Sequence, residues 1–121
     1  MLKVVRWRLS IAIIICMMFG SLISSSQDNV NKIEIHAKRF AFEPAEITLK
    51  KGVPVTLILT SDDVPHSLVI DELGVKASMN KGQKTSVTVT PTKTGTFQGK
   101  CGRFCGSGHG SMKMVVHVTD N

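Results

Sequence analysis

Short runs of alternating apolar and polar residues, each followed by a turn, constrain the fold of this chain more than any other feature. In the first run, Ile33, Ile35 and Ala37 alternate with charged or polar residues. A period of two is typical of a β-strand with one buried face. The same kind of apolar, β-branched pattern returns at residues 47–49, 55–60, 67–70, 85–90, 96–100 and 113–118.

Turn-forming residues separate these runs, and no segment shows sustained helical periodicity. Gly52 with Pro54, and the segments 62–65, 80–82 and 91–95, carry the glycine, proline, asparagine and aspartate typical of turns. About seven short strands in so short a chain predict an all-β fold, a small Greek-key β-sandwich with one core. With 121 residues, 42% hydrophobic and 20% charged, the chain is expected to form one folded domain rather than several or none.

The first 26 residues differ from the rest. Three basic residues, Lys3, Arg6 and Arg8, precede an apolar run at 9–19, which gives way to small residues by Ser26. This pattern is typical of an export signal, and the run is shorter than the roughly 18 to 20 residues of a membrane-spanning helix. We therefore expect residues 1–26 to be a signal peptide, or alternatively a membrane anchor, and residues 27–121 to be the domain. The expected location is periplasmic or extracytoplasmic, either soluble or N-terminally anchored.

The basic charge of the chain belongs partly to this leader. The formal net charge is +6, from 15 basic and 9 acidic residues. Removing the three basic residues of the leader leaves 12 against 9, or +3. So small a charge, without a basic stripe interleaved with aromatic residues, predicts no nucleic-acid partner.

Side chains that can bind a metal ion are concentrated at residues 101–112. There Cys101, Cys105, His109 and Met112 follow one another at separations of 4, 4 and 3 residues. The four glycines between them would each cost a helix roughly 1 kcal/mol, so the segment is predicted to be a loop. Glycine permits positive φ and close backbone approach, which a chain needs to bring several side chains around one point.

The donor types indicate copper. Thiolates and thioethers are soft ligands, and copper electron-transfer sites combine histidine and cysteine with a weak axial methionine. Two cysteines alone in an exported protein would favour a disulfide, but His109, Met112 and the glycines favour a metal site. A further histidine is required, and His66 is the best candidate, because its turn can meet the cysteine loop at the same end of a sandwich. His36 and His117 lie in strand patterns and are expected to be structural.

This set of residues resembles the dinuclear CuA domain of cytochrome c oxidase subunit II, which also occurs in nitrous oxide reductase. The resemblance lies in His66 followed by the pattern Cys101-x3-Cys105-x3-His109-x2-Met112. The likeness extends over about residues 40–118. It implies a cupredoxin fold and a two-copper centre held by His66, Cys101, Arg103, Cys105, His109 and Met112. By this resemblance the two thiolates bridge the coppers and each imidazole caps one. The thioether and the backbone carbonyl of Arg103 are weak outer ligands.

The function that this resemblance implies is electron transfer by a carrier that is not an enzyme by itself, since the sequence offers no nucleophile–base pair, carboxylate dyad or phosphate-binding loop. Two alternatives stay open. One is a copper delivery or sequestration protein, and the other is a mononuclear blue copper protein built from His66, Cys105, His109 and Met112.

The expected partners follow from the same residues. The resemblance suggests a membrane oxidase or reductase. Arg103 replaces an acidic residue of that family, and with Lys100 and Lys113 it makes the surroundings of the loop basic. A basic surface favours a redox partner with an acidic docking surface.

Overall fold

A computed structural model of the protein describes residues 31–120, which form two β-sheets packed face to face. The nine strands are β1 (Asn31–Lys38), β2 (Ala41–Glu43), β3 (Glu46–Lys50), β4 (Val55–Ser61), β5 (His66–Ile70), β6 (Val75–Met79), β7 (Thr85–Val89), β8 (Gly95–Cys101) and β9 (Lys113–Thr119). Two three-residue 3-10 turns, Asp71–Leu73 and His109–Ser111, complete the regular structure of this part. The all-β Greek-key sandwich predicted from the sequence is confirmed.

The strand order is β2-β1-β4-β7 in one sheet and β3-β9-β8-β5-β6 in the other. β1 runs parallel to β4, with Ile33 opposite Leu57, and β3 runs parallel to β9, with Leu49 opposite Val118. The remaining neighbours are antiparallel. The chain therefore crosses between the sheets several times, and distant segments become neighbours.

The core follows the alternation in the sequence. In β4, Val55, Leu57 and Leu59 are buried, whereas the threonines and Ile58 between them are partly exposed. β3 and β9 bury Leu49 and Val116 in the same way. Since side chains on successive strand residues point to opposite faces, each run contributes one apolar row to the space between the sheets.

Two of the nine strands, β2 and β6, were not predicted. β2 has only three residues, too few to display a period. β6 is an edge strand whose inward side chains are Val75, Ala77 and Met79, and only the first of these is β-branched. In both cases pairing with a neighbouring strand, and not local propensity, determines the extended conformation.

Residues 1–30, which include the expected leader and its boundary at 26, lie outside the described part of the chain. Between residues 31 and 120, no helix combines the length and the hydropathy that crossing a bilayer requires.

Candidate metal centre

Strand pairing brings His66 and Cys101 together although 35 residues separate them. His66 is the first residue of β5 and Cys101 the last of β8. The two strands are antiparallel neighbours with Leu68 opposite Cys101. The same end of the sandwich therefore holds the histidine and the start of the cysteine loop, as the sequence predicted.

Both thiols of the loop are buried and free. Their sulfur atoms are 3.9 Å apart, well beyond the roughly 2.05 Å of a disulfide bond. The disulfide that two cysteines alone would favour is not formed here. Together with the fully buried His66, the two sulfurs form a group of ligand atoms that all lie within 4.8 Å of one another.

Each thiol has one imidazole nitrogen beside it. Nδ1 of His66 lies 4.0 Å from Sγ of Cys101, and Nδ1 of His109 lies 3.9 Å from Sγ of Cys105. His109 begins the 3-10 turn inside the loop and is half-buried. The arrangement is thus two sulfurs at the centre with one ring on each side.

Each thiol also has one weaker donor. Sδ of the fully buried Met112 is 3.8 Å from Sγ of Cys105. The Cys101 thiol donates a hydrogen bond of 3.0 Å to the carbonyl oxygen of Arg103. All six residues expected as ligands are therefore brought together, and sulfur and imidazole donors of this kind suit soft metal ions such as copper.

Asp63 fixes the orientation of the His66 ring. Nε2 of His66 and Oδ1 of Asp63 are 2.8 Å apart. Because an ionised carboxylate only accepts hydrogen bonds, Nε2 carries a proton, and the neutral form of the ring has its lone pair on Nδ1, on the side of Cys101. Backbone N–H groups of Arg39 and Val64 also donate to this carboxylate, at 2.8 and 2.6 Å.

Two groups of the site have shifted pKa values. Burial opposes ionisation of Asp63, but the hydrogen bonds from the Arg39 N–H, the His66 ring and the Val64 N–H outweigh it and hold its pKa well below the usual range. Burial, followed by the neighbouring Cys101 thiol, raises the pKa of Cys105. A metal ion that binds here must therefore displace a firmly held thiol proton.

The turn between β1 and β2 supports the cysteine loop. Nε of Arg39 donates to the carbonyl oxygen of Cys105 at 3.0 Å. The Phe40 ring lies under the loop so closely that a methyl group added at Gly108 would be 2.3 Å from it. Gly106 adopts a φ of +139°, a conformation that favours glycine. Positive φ and close approach, the two properties expected of the loop glycines, are thus both used.

Three supporting residues escaped sequence analysis. Asp63 precedes His66 by three residues in a turn, which is a weak signal for a hydrogen bond to its ring. Arg39 and Phe40 left no signal, because they meet the loop only through the fold. Phe40 is half-buried between the core and the loop. Met79 and Met114 are both buried in the core.

The remaining histidines have other partners. His36 is 2.9 Å from a carboxylate oxygen of Asp62, and His117 lies near Thr96 and Glu46. Between residues 31 and 120 neither is bonded to the cysteine loop, in agreement with the structural roles expected for both.

The basic surroundings differ in detail from the expectation. Lys100 lies opposite Lys113 in the β8–β9 ladder and forms an ion pair of 3.3 Å with Asp71. Arg103 is exposed, and Arg39, which was not predicted, joins it beside an open hollow of about 260 Å³ next to Cys105. A larger hollow of about 320 Å³ at the opposite end of the sandwich is lined by no cysteine or histidine, so size does not mark the site.

A comparison with protein families decides the identity of this fold. The model of the cupredoxin-like domain matches residues 10–116. The chain belongs to the cupredoxin-like family. The resemblance noted in the sequence is thereby confirmed at the level of the family.

Solved structures with the same fold include two oxidase proteins. The cupredoxin superposes on the periplasmic domain of subunit II of cytochrome oxidase (CoxB) of Bradyrhizobium japonicum with a TM-score of 0.70 and 19% identity, covering 75% of this chain and 85% of that one. A heme-copper terminal oxidase dimer contains a chain with a TM-score of 0.68 and 19% identity, covering 98% and 95%.

A third similar structure comes from a copper transporter. It is the metal-binding domain of the Cu(I)-exporting P-type ATPase CopA of Streptococcus pneumoniae, solved with Cu(I). The TM-score is 0.60 and the identity 22%, with 78% of this chain and 91% of that one covered. At these identities the likenesses establish the fold that the cupredoxin shares with the three proteins.

Proposed function

We propose that this cupredoxin is an extracytoplasmic electron-transfer protein that carries a dinuclear CuA-type copper centre. The observation that supports this most directly is the paired geometry of the site. Two sulfurs lie 3.9 Å apart, and each has its own imidazole at 4.0 or 3.9 Å. A mononuclear site would need one thiolate, whereas two thiolates flanked by two rings suit a pair of metal ions.

The residues present fit copper. Cys101 and Cys105 would bridge two ions, His66 and His109 would each bind one through Nδ1, and Met112 and the Arg103 carbonyl would be the outer ligands. The buried thioether favours copper over zinc, which rarely accepts such a ligand. The likeness to a chain of a heme-copper oxidase and to a domain solved with Cu(I) supports the same metal.

The chemistry of such a centre is the uptake and release of one electron without a change of ligands. The chain contributes a buried frame: strands β5 and β8 hold His66 and Cys101, Asp63 fixes one ring, and the 3-10 turn holds His109. A site whose ligands are held this firmly moves little when its charge changes, which suits electron transfer. We infer that the protein is a carrier and does not act as an enzyme by itself.

Copper content and spectra of the full chain and of Cys101→Ser test this proposal. Two coppers per chain, with one unpaired electron shared between them and lost in the variant, are expected. One copper with a localised signal that persists in Cys101→Ser would instead establish the mononuclear blue copper protein.

The second candidate function is copper delivery or sequestration, which the likeness to the metal-binding domain of a Cu(I) exporter favours. Buried thiol and thioether donors also suit Cu(I). This candidate predicts tight Cu(I) binding, exchange with a chelator and no stable oxidised form. Reversible oxidation of the copper-loaded protein would exclude it.

The location remains part of the proposal. We infer that residues 1–26 direct export and that residues 27–121 form the copper domain outside the cytoplasm, as a soluble or N-terminally anchored protein. N-terminal sequencing of the protein from fractionated cells distinguishes cleavage from anchoring. Recovery of the uncleaved chain in the cytoplasm would contradict both.

A further inference from the structure

We propose that the surface around Phe104 is the docking site for a redox protein with an acidic surface. We call this surface, formed by Arg39, Val64, Pro65, Arg103 and Phe104, the Phe104 face. The proposal rests on the proposed electron-transfer function, since it assigns the place where the electron partner binds.

Phe104 is the first observation. Its side chain is 77% exposed, and among residues 31–120 it is the one large apolar side chain that is exposed to this degree. It stands between the two cysteines in the sequence, and its ring is 5.9 Å from the ring of His109, centroid to centroid. A partner that covers Phe104 would therefore contact a residue that itself touches a proposed copper ligand.

The hollow beside Phe104 is the second observation. Arg39 and Arg103 line it together with Val64 and Pro65, and its volume is about 260 Å³. Apolar side chains and guanidinium groups thus line the same hollow. This combination suits a partner contact in which an apolar patch is surrounded by carboxylates.

The third observation concerns the ion pairs that basic side chains form. In the described part of the chain, Lys38, Lys84 and Lys100 each form an ion pair with a carboxylate. Within residues 31–120, no carboxylate oxygen lies within 4.0 Å of the side chain of Arg39 or Arg103. Asp63, which accepts a hydrogen bond from the Arg39 backbone, is engaged by the His66 ring and by two backbone N–H groups. The guanidinium charges therefore remain available to an external acid.

These observations favour an acidic protein over a basic one. Electron-transfer contacts are small and brief, so long-range charge attraction determines much of their rate. Two arginines beside the exposed ring would attract a protein surface rich in aspartate and glutamate. They would repel a cytochrome with a lysine-rich surface.

The test measures the second-order rate at which reduced redox proteins reduce the copper-loaded full chain in a stopped-flow instrument. The probes are an acidic [2Fe–2S] ferredoxin and a basic cytochrome c. The variants are Phe104→Ala, Arg103→Glu and Arg103→Lys, compared at equal copper content. Lys93→Glu is the matched control, because it makes the same charge change at the exposed turn before β8, at the opposite end of that strand from Cys101.

Arg103→Glu and Phe104→Ala are each expected to lower the ferredoxin rate about tenfold relative to Lys93→Glu. Arg103→Lys should keep most of the rate, and Arg103→Glu should raise the rate with cytochrome c. Equal rates for Arg103→Glu and Lys93→Glu would overturn the proposal, because net charge alone would then explain the effect. An unchanged rate for Phe104→Ala would overturn it as well.

Two further measurements separate this proposal from the proposed function. The small cation hexaammineruthenium(II) needs no docking site, so its failure to reduce the copper-loaded wild type would contradict electron transfer itself. Docking is also measured without copper chemistry, by NMR titration of the metal-free chain with the ferredoxin. Shifts centred on residues 64–65 and 103–106 are expected, and shifts centred elsewhere would overturn the Phe104 face.

Discussion

The Arg39 side chain donates a hydrogen bond of 3.0 Å to the carbonyl oxygen of Cys105, 66 residues further along the chain. The backbone N–H of the same arginine donates to Asp63, which orients the His66 ring. One residue outside the donor set is thus hydrogen-bonded both to the cysteine loop and to the carboxylate that orients His66. The β1–β2 turn is therefore part of the frame that holds the site.

Replacing Arg39 with alanine should loosen the cysteine loop. Loss of the bond to Cys105 is expected to lower the free energy of unfolding of the metal-free protein by about 1 kcal/mol and to speed amide hydrogen exchange at residues 102–111. Denaturant unfolding and exchange measured by mass spectrometry check this. Lys84→Ala is the control, since it removes an exposed ion pair to Glu34 and should leave the free energy of unfolding nearly unchanged. Unaltered exchange in the loop of Arg39→Ala would contradict the role assigned to it.

Gly108 and Gly110 provide a matched pair. A methyl group at Gly108 would lie 2.3 to 2.8 Å from atoms of the Phe40 ring, whereas one at Gly110 has open space around it. Gly108→Ala should therefore destabilise the protein by about 1 to 3 kcal/mol and weaken copper binding, while Gly110→Ala should change neither much. Thermal unfolding and copper titration measure both effects.

The steric contact with Phe40 that we assign as the cause of the Gly108→Ala effect can be tested with a smaller side chain at position 40. Adding Phe40→Leu to Gly108→Ala should restore part of the lost copper affinity, because the smaller, flexible side chain relieves the contact. Equal behaviour of Gly108→Ala and Gly110→Ala would show that the ring does not constrain the loop.

Asp63→Ala should weaken copper binding by about 10- to 100-fold, because the His66 ring then loses the hydrogen bond that fixes its orientation and proton position. Asp63→Asn should weaken binding less, since its amide oxygen can still accept from Nε2. Asp62→Ala is a suitable control: the neighbouring carboxylate is bonded to His36 and not to His66. Competition with a copper chelator gives the affinities, and equal losses at positions 62 and 63 would refute the orienting role.

Oxidation of the metal-free protein should compete with copper uptake. The two buried sulfurs are 3.9 Å apart at the end of one loop, so a mild thiol oxidant is expected to join Cys101 to Cys105 and block the site until a dithiol reductant is added. Using Cys16→Ser as the starting protein limits the chain to these two thiols. Mass spectrometry and copper titration follow the reaction, and full copper uptake by the oxidised protein would contradict a site built on both thiols.

Local features of the sequence predicted much of the fold and of the candidate metal centre. Seven strands and the loop nature of residues 101–112 followed from a period of two and from glycine content, because both act over a few neighbouring residues. Five of the six expected ligands lie within those twelve residues, so their proximity needed no knowledge of the fold. The copper expectation also rested on local chemistry, since donor type alone separates soft from hard metals.

Only the tertiary structure decided how distant segments support that loop. The approach of His66 to Cys101 depends on the register of β5 against β8. The sequence indicated this pair only through the position of the His66 turn in an expected sandwich and through a family resemblance. Arg39 and Phe40 became visible as supports only when the β1–β2 turn was placed under the loop. β2 and β6 are extended because they pair with neighbours. Such contacts join residues far apart in the chain, and strand pairing and register, which local propensity does not encode, determine which of them form.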